Sequence, residues 1–129
     1  MSRPAPRWLS WLAIDEAHAR QLRGHGGRRG TRDEHALEAA LARPQHRWHY
    51  DTGSRLEDLA AAYAYGLVQG HPYVDGNKRV GLVAVVAFLD LNGVELVASD
   101  DEAVDAILQL ASGRMTEAEL AGWVRTHLR

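Results

Sequence analysis

Within nine positions, His71-Pro-Tyr-Val-Asp-Gly-Asn-Lys-Arg79 brings together a proton acceptor, a carboxylate, a glycine, an amide and two cations. The imidazole of His71 can take a proton from a hydroxyl near neutral pH. Asp75 could hold a divalent cation that bridges phosphate oxygens. Gly76 lets backbone approach a ligand closely, and Lys78 and Arg79 add two full positive charges. A helix starting here would add orphan N–H groups and a partial positive charge, both suited to phosphate. Anchoring that start to a buried helix would preorganise the whole set. Taken singly, each residue has an ordinary reading: a loop histidine, an Asp-Gly turn, a solvated helix start. Together they are less ordinary, and the cluster holds the single lysine of a chain with fourteen arginines.

The element that must position the cluster follows it directly. Arg79 to Gly93 is apolar all round except near its ends, the pattern of a helix surrounded by others. The Asn92-Gly93 ending places Gly93 at the left-handed position past a helix C-terminus. Four capping boxes, Thr31–Glu34, Ser54–Glu57, Ser99–Glu102 and Thr116–Glu119, predict helices beginning at about residues 32, 55, 100 and 117. Their apolar spacings agree: Leu37, Ala40 and Leu41; Leu56, Leu59, Ala60, Tyr63 and Leu67; Val104, Ile107, Leu108 and Ala111; Leu120, Trp123, Val124 and Leu128. A further helix is expected over Ile14 to Leu22. Arg43 to Gly53 reads as a non-helical connection able to hold a short hairpin, and Val94 to Val97 as an extended piece. The glycine-rich run from Arg23 to Gly30 reads as a flexible connection. It is no phosphate loop, since no strand precedes it and no Gly-Lys-Ser/Thr follows. The expected architecture is one all-α domain over residues 1–129, about six helices around a central buried helix.

Composition bounds the alternatives. A chain of 129 residues with 46% apolar and 25% charged residues can build a real core without staples. The absence of cysteine excludes a disulfide scaffold, a thiolate zinc site and a cysteine nucleophile. Residues 1–50 hold nine arginines against five acids, and the rest hold six basic residues against twelve acids. The arginines are scattered and the pI is about 6.4, so direct nucleic-acid binding is not expected. Met1 to Arg7 leads into no long apolar core, and the longest apolar run, Val80 to Leu89, is about half of a membrane span. The expectation is a cytoplasmic protein without membrane attachment. His46 and His49 lack a third ligand and read as surface histidines rather than a metal site.

The stretch His71 to Arg79 resembles the signature of the Fic/Doc family in its Doc (death-on-curing) toxin branch. Full Fic enzymes carry H-P-F-x-D/E-G-N-G-R-x-x-R, and the Doc branch has Lys where they have the third Gly. Thr31 to Pro44 and the Phe88-Leu-Asp-Leu-Asn-Gly93 ending are similar to the Doc pattern as well, so the resemblance covers roughly residues 14–128. It implies an all-α Fic fold and transfer of part of ATP, with Mg²⁺, onto a protein hydroxyl. Residue by residue it implies His71 as general base and Asp75 as the Mg²⁺ ligand. Gly76, Asn77, Lys78 and Arg79 would hold the triphosphate. Arg43 to Gly53 would be the flap that pairs with an extended target segment. Trp48 and Tyr50 would then meet target or nucleotide, or pack as loop aromatics.

Departures from the full motif bear on the reaction. Tyr73 replaces Phe and adds a hydroxyl needing a partner. The last Arg of the full motif falls at Leu82. With Lys78 present and that Arg missing, the resemblance implies ATP bound in reverse and transfer of its γ-phosphate. The implied target is a translation factor, elongation factor Tu being the family precedent. The alternatives are AMP transfer to a protein hydroxyl and a catalytically silent binding module. No inhibitory S/T-x-x-x-E-G/N string occurs, so control is expected from a separate antitoxin whose C-terminal tail folds as a helix on the toxin.

Overall fold

A computed structural model describes residues 3–129 and contains six helices among them. These are α1 (Trp11–His25), α2 (Glu34–Tyr50), α3 (Leu56–Gly70), α4 (Asn77–Leu91), α5 (Asp100–Ala111) and α6 (Glu117–Arg125). The domain is all-α, as the sequence implied. Strand pairing among the described residues is limited to two isolated antiparallel bridges, Thr31 with Tyr73 and Leu96 with Leu128. The second bridge realises the extended piece at Val94 to Val97.

The centre of the domain is made from small residues that let backbones approach. Leu59 to Ala64 on α3 are all fully buried, so this helix has no solvent face along that stretch. The neighbouring α4 is buried along Val80, Gly81, Ala84, Val85, Phe88 and Leu89. Its opposite edge, with Val86 and Leu91, is exposed, so α3 and α4 share the centre that the sequence assigned to α4 alone. A Cβ on Gly66 would lie 2.8 Å from the Cα of Ala40, and a Cβ on Gly81 would lie 2.8 Å from Val68 Cγ2. These glycines mark where α2 and α4 press against α3.

Helix ends show which local signals survive folding. Ser99 and Thr116 cap α5 and α6, each with its Glu reaching back to the cap N–H. The other two boxes are displaced. Thr31 is drawn into its bridge with Tyr73, and Asp33 caps α2 by accepting from the Ala36 N–H at 3.1 Å. Ser54 instead donates to the Asp51 carbonyl in the turn before α3, and Asp58 accepts from the Arg55 N–H at 2.8 Å. Glu57 is unavailable for a box because it is buried and accepts from Arg125 Nε of α6 at 2.8 Å. At the C-terminus of α4, Gly93 has φ 79° as expected. Val94 N–H closes on the Leu89 carbonyl at 2.9 Å and Gly93 N–H on Asp90 at 3.0 Å, a Schellman ending.

Two expectations are corrected. The segment 43–53 is no hairpin: α2 runs through Pro44 to Tyr50 before a short turn at Asp51 to Ser54. Pro44 removes the N–H that would serve the Ala40 carbonyl. Tertiary contacts carry the helix past it, because Arg43 and Arg47 pair with Glu117 of α6 and Trp48 packs on the core. The inner face of α5 is Ala103, Ala106, Ile107 and Leu110, whereas Val104 and Leu108 are each 47% exposed. The apolar residues of α5 cover more than one face, and its alanines take the close contact.

Burial also governs the ionisation of Tyr63, at the centre of the bundle. Tyr63 accepts from the Leu9 N–H at 3.0 Å, and burial pushes its pKa up to about 12 despite that donor. A group raised in this way contributes stability below the unfolded tyrosine pKa of about 10, and loses it as pH climbs from there toward the folded value.

The close crossing of α2 and α3 predicts that Gly66→Ala destabilises by about 1–3 kcal/mol, although Ala is the better helix former by about 1 kcal/mol. Gly122→Ala serves as control, since nothing lies within 4 Å of a Cβ there. Urea unfolding of both variants checks this; a Gly66→Ala protein as stable as the parent would mean the helices are not in contact there.

Candidate active site

Residues 71–76 connect the C-terminus of α3 to the N-terminus of α4, and both ends of that loop are left-handed. His71 has φ 53° and ψ 51°, alone among the described non-glycine residues in having positive φ. Such a conformation costs a side-chain-bearing residue about 1–3 kcal/mol. Gly76 has φ 81°, and a Cβ there would lie 3.4 Å from the His18 ring. The conformation favours glycine, and a Cβ would just reach van der Waals contact with that ring.

Three neighbours hold the loop. The segment before α2 runs antiparallel to it, with Arg32 N–H donating to Pro72 O at 2.7 Å and Val74 N–H to Gly30 O at 3.0 Å. The Arg32 side chain donates to His71 O at 2.7 Å and to Gly70 O at 3.1 Å. From α1, buried His18 donates through Nε2 to Asp75 O at 2.7 Å and stacks on Tyr73 with centroids 3.7 Å apart. From α4, buried Asn77 accepts from Tyr73 N–H and donates to Tyr73 O, both at 2.9 Å. The hydroxyl of Tyr73, which needed a partner, donates to Asp15 on α1. Burial keeps it protonated to unusually high pH, reinforced by the bond to Asp15 and by that carboxylate's charge.

The loop closes one side of a cleft of about 350 Å³. His71, Asp75, Gly76, Lys78 and Arg79 line it, together with His25, Gly26 and Gly27 from the end of α1. All the residues singled out at positions 71–79 are therefore brought to one place. The N–H groups of Asn77, Lys78 and Arg79 precede the first intrahelical bond, from Val80 N–H to Gly76 O. No side chain caps this helix, so its positive end is left for an anion. Arg79 also donates to Gly26 O at 3.2 Å, tying α4 to the loop after α1.

Asn77 lines the cleft and also braces the loop. Its amide oxygen accepts from the Tyr73 N–H and its amide nitrogen donates to the Tyr73 carbonyl, while its backbone N–H is open to a ligand. Asp75 accepts from the Arg28 N–H through Oδ2 at 2.8 Å. Its Oδ1 makes no hydrogen bond with any described residue. One free carboxylate oxygen on a cleft that also presents Lys78, Arg79 and the open start of α4 fits Mg²⁺, which takes one or two carboxylates and completes its shell with phosphate and water. No group of three or more potential metal-ligating side chains occurs among the described residues, so a bound Mg²⁺ would rely on its ligand's oxygens.

The segment 43–53 does not line the cleft. Trp48 lies under the Arg3 guanidinium, 3.3 Å from its ring centroid, while Tyr50 is 76% exposed. His46 and His49 are both exposed on α2. The backbone beside the motif is instead Gly26 to Asp33, of which the sequence reading took Gly26 to Gly30 for part of a flexible connection and Thr31 for a helix cap. Its glycines were the available signal: a Cβ on Gly27 would approach Asp75 Cβ to 3.4 Å. Arg32 and His18 carried no signal, one being an arginine among fourteen and the other a lone helical histidine.

A second, apolar groove of about 470 Å³ shares Lys78 and Arg79 with the cleft and continues between α4 and α5. Leu82, Val83, Val104 and Leu108 are among its walls, so the position of the missing motif Arg faces this groove.

A helical domain with an uncapped helix start, a histidine and a carboxylate around one anion-sized cleft defines a candidate for phosphate-group chemistry. Residues 8–89 match the Fic/DOC family, and the chain belongs to that family. It is 41% identical over 105 residues to a protein named Toxin Doc from Mycolicibacterium smegmatis, covering 76% of this chain and 81% of that one. It is 31% identical over 119 residues to Protein kinase doc of Escherichia phage P1, covering 92% and 94%. Among the described residues no helix is long and apolar enough to cross a membrane.

The commitment of Asn77 to the loop predicts that Asn77→Ala leaves the Tyr73 N–H and carbonyl unpaired in a buried place, costing about 1–3 kcal/mol. Chemical denaturation measures it. An Asn77→Ala protein of parental stability but with weakened nucleotide binding would show that the amide serves the ligand instead.

Proposed function

We propose that this protein is the toxin of a toxin–antitoxin pair and a protein phosphotransferase: it moves the γ-phosphate of ATP to a hydroxyl of a protein target. The observation that carries the reading is the meeting of His71, Asp75, Lys78 and Arg79 with the open N-terminus of α4 in one cleft. The similarity to a protein named a kinase and to another named a toxin supports both halves of the reading.

In this reading the Gly76 to Arg79 backbone, Lys78 and Arg79 bind the phosphates, and Asp75 Oδ1 holds Mg²⁺. Mg²⁺ held there would supply neutralisation of the phosphate charge. His71 takes the proton of the target hydroxyl as its oxygen attacks the γ-phosphorus. The bond between that phosphorus and the β–γ bridging oxygen breaks, and ADP leaves. Placing Lys78 and Arg79 on the leaving diphosphate and terminal phosphate stabilises charge where it develops. Leu82 supports γ- over α-phosphate transfer: its side chain belongs to the apolar groove, so no cation at that turn of α4 orients an α-phosphate.

The partners follow from the same surfaces. The protein target is proposed to be a translation factor, on the family resemblance alone. The apolar groove along α4 and α5, with Val104 and Leu108 exposed at its edge, suits the apolar face of an antitoxin's C-terminal helix.

Parallel incubations with cell extract, Mg²⁺ and ATP labelled at the α- or γ-phosphate test the reaction, with His71→Ala as blank. The expected result is a labelled protein band from γ-ATP only, reduced about 100-fold or more by His71→Ala. Label from α-ATP would mean AMP transfer. Label from neither, with antitoxin absent, would leave a binding module.

A further inference from the structure

The left-handed conformation at His71 sets a problem that the chemistry makes unavoidable. The residue ending α3 adopts a backbone that favours glycine, yet a glycine there would carry no imidazole. Some neighbour has to hold a histidine in that conformation. The carbonyls of Gly70, His71 and Pro72 all accept from a single residue, Arg32, through Nη2, Nε and the backbone N–H respectively. The first two lie at the negative end of α3, where a guanidinium is also favoured by the helix dipole. Resting on the phosphotransfer reading above, we propose that Arg32 is a positioning residue that locks His71 in its left-handed conformation and so aims the imidazole at the target hydroxyl.

The geometry separates this role from nucleotide binding. Arg32 is exposed and does not line the cleft, and its bonds go to the base end of the loop rather than to Asp75, Lys78 or Arg79. The backbone bond from Arg32 to Pro72 and the bond from Val74 to Gly30 survive any change of side chain, so the loop stays docked when the guanidinium is removed. Loss of the side chain frees the peptide planes on either side of His71 and little else. The hydroxyl-activating step suffers while the phosphates are still held.

Arg32→Gln and Arg32→Lys are compared with the parent in two assays on the full chain. The first follows transfer of the γ-phosphate to the labelled target band as ATP is varied. Arg32→Gln is expected to lower kcat by about tenfold or more with KM for ATP within about twofold, because misaiming a reacting group is costly. Arg32→Lys, which keeps one charged donor, recovers part of the rate. The second assay reads the backbone shifts and scalar couplings of His71 by NMR, which report the sign of φ without needing activity. A positive φ in the parent that is lost or averaged in Arg32→Gln, with helical signals unchanged, supports the proposal. Undiminished kcat, an unchanged His71 conformation in Arg32→Gln, or a rise in KM matching the fall in kcat would overturn it. Should the parent transfer no phosphate, the proposed reaction fails, and the NMR comparison alone decides whether Arg32 holds His71.

Discussion

The loop between α3 and α4 starts and finishes in left-handed backbone, at His71 and Gly76, and the cleft exists only because that loop is kept in place. Many of its carbonyls and N–H groups have protein partners. Arg32 takes those of Gly70, His71 and Pro72, Asn77 takes both groups of Tyr73, and His18 takes the carbonyl of Asp75. Once these are satisfied, the loop has little freedom left. His71 is then placed on the rim, Asp75 turns a carboxylate oxygen to the cleft, and the first N–H groups of α4 stay open.

Loop anchors of this kind need rigid elements behind them, and small residues supply that rigidity. The fully buried run on α3 and the contacts at Gly66 and Gly81 set the spacing of α2, α3 and α4 with little side-chain volume between them. Charge does complementary work at the other end of the bundle. Glu57 is buried with Arg125 as partner, and Glu117 receives Arg43 and Arg47, so α2, α3 and α6 are joined by ion pairs on the side where Pro44 weakens α2. Arg125 is half exposed but the Glu57 carboxylate is buried, so removing Arg125 would leave that carboxylate without its closest partner.

Legibility in the sequence followed how local each feature is. The boxes at Ser99 and Thr116 became caps because nothing else competes for those hydroxyls. Thr31 and Ser54 have the same spacing, but a bridge to Tyr73 and a turn at Asp51 claim them first. Pro44 reads as a helix breaker, and tertiary partners distant in sequence, Glu117 of α6 and the core around Trp48, keep α2 intact beyond it. The faces of α5 could not be ranked from periodicity, since alanines and larger apolar residues recur together and close packing chose the alanines. At the site, the motif residues were legible because they are contiguous. The division of labour among them was not: that Asn77 spends its amide on the loop, and that Arg32 and His18 hold it from elsewhere, depends on contacts between distant parts of the chain.

The proposed chemistry depends on a nucleotide's phosphates binding at the start of α4. Titrating the ¹⁵N-labelled protein with ATP and Mg²⁺ while recording amide spectra tests that claim residue by residue. Saturable shifts are expected at Gly76, Asn77, Lys78 and Arg79 and at Gly26 and Gly27 across the cleft, with residues 43–53 unmoved. Unchanged amides at the start of α4, or saturable shifts confined to another surface, would contradict it.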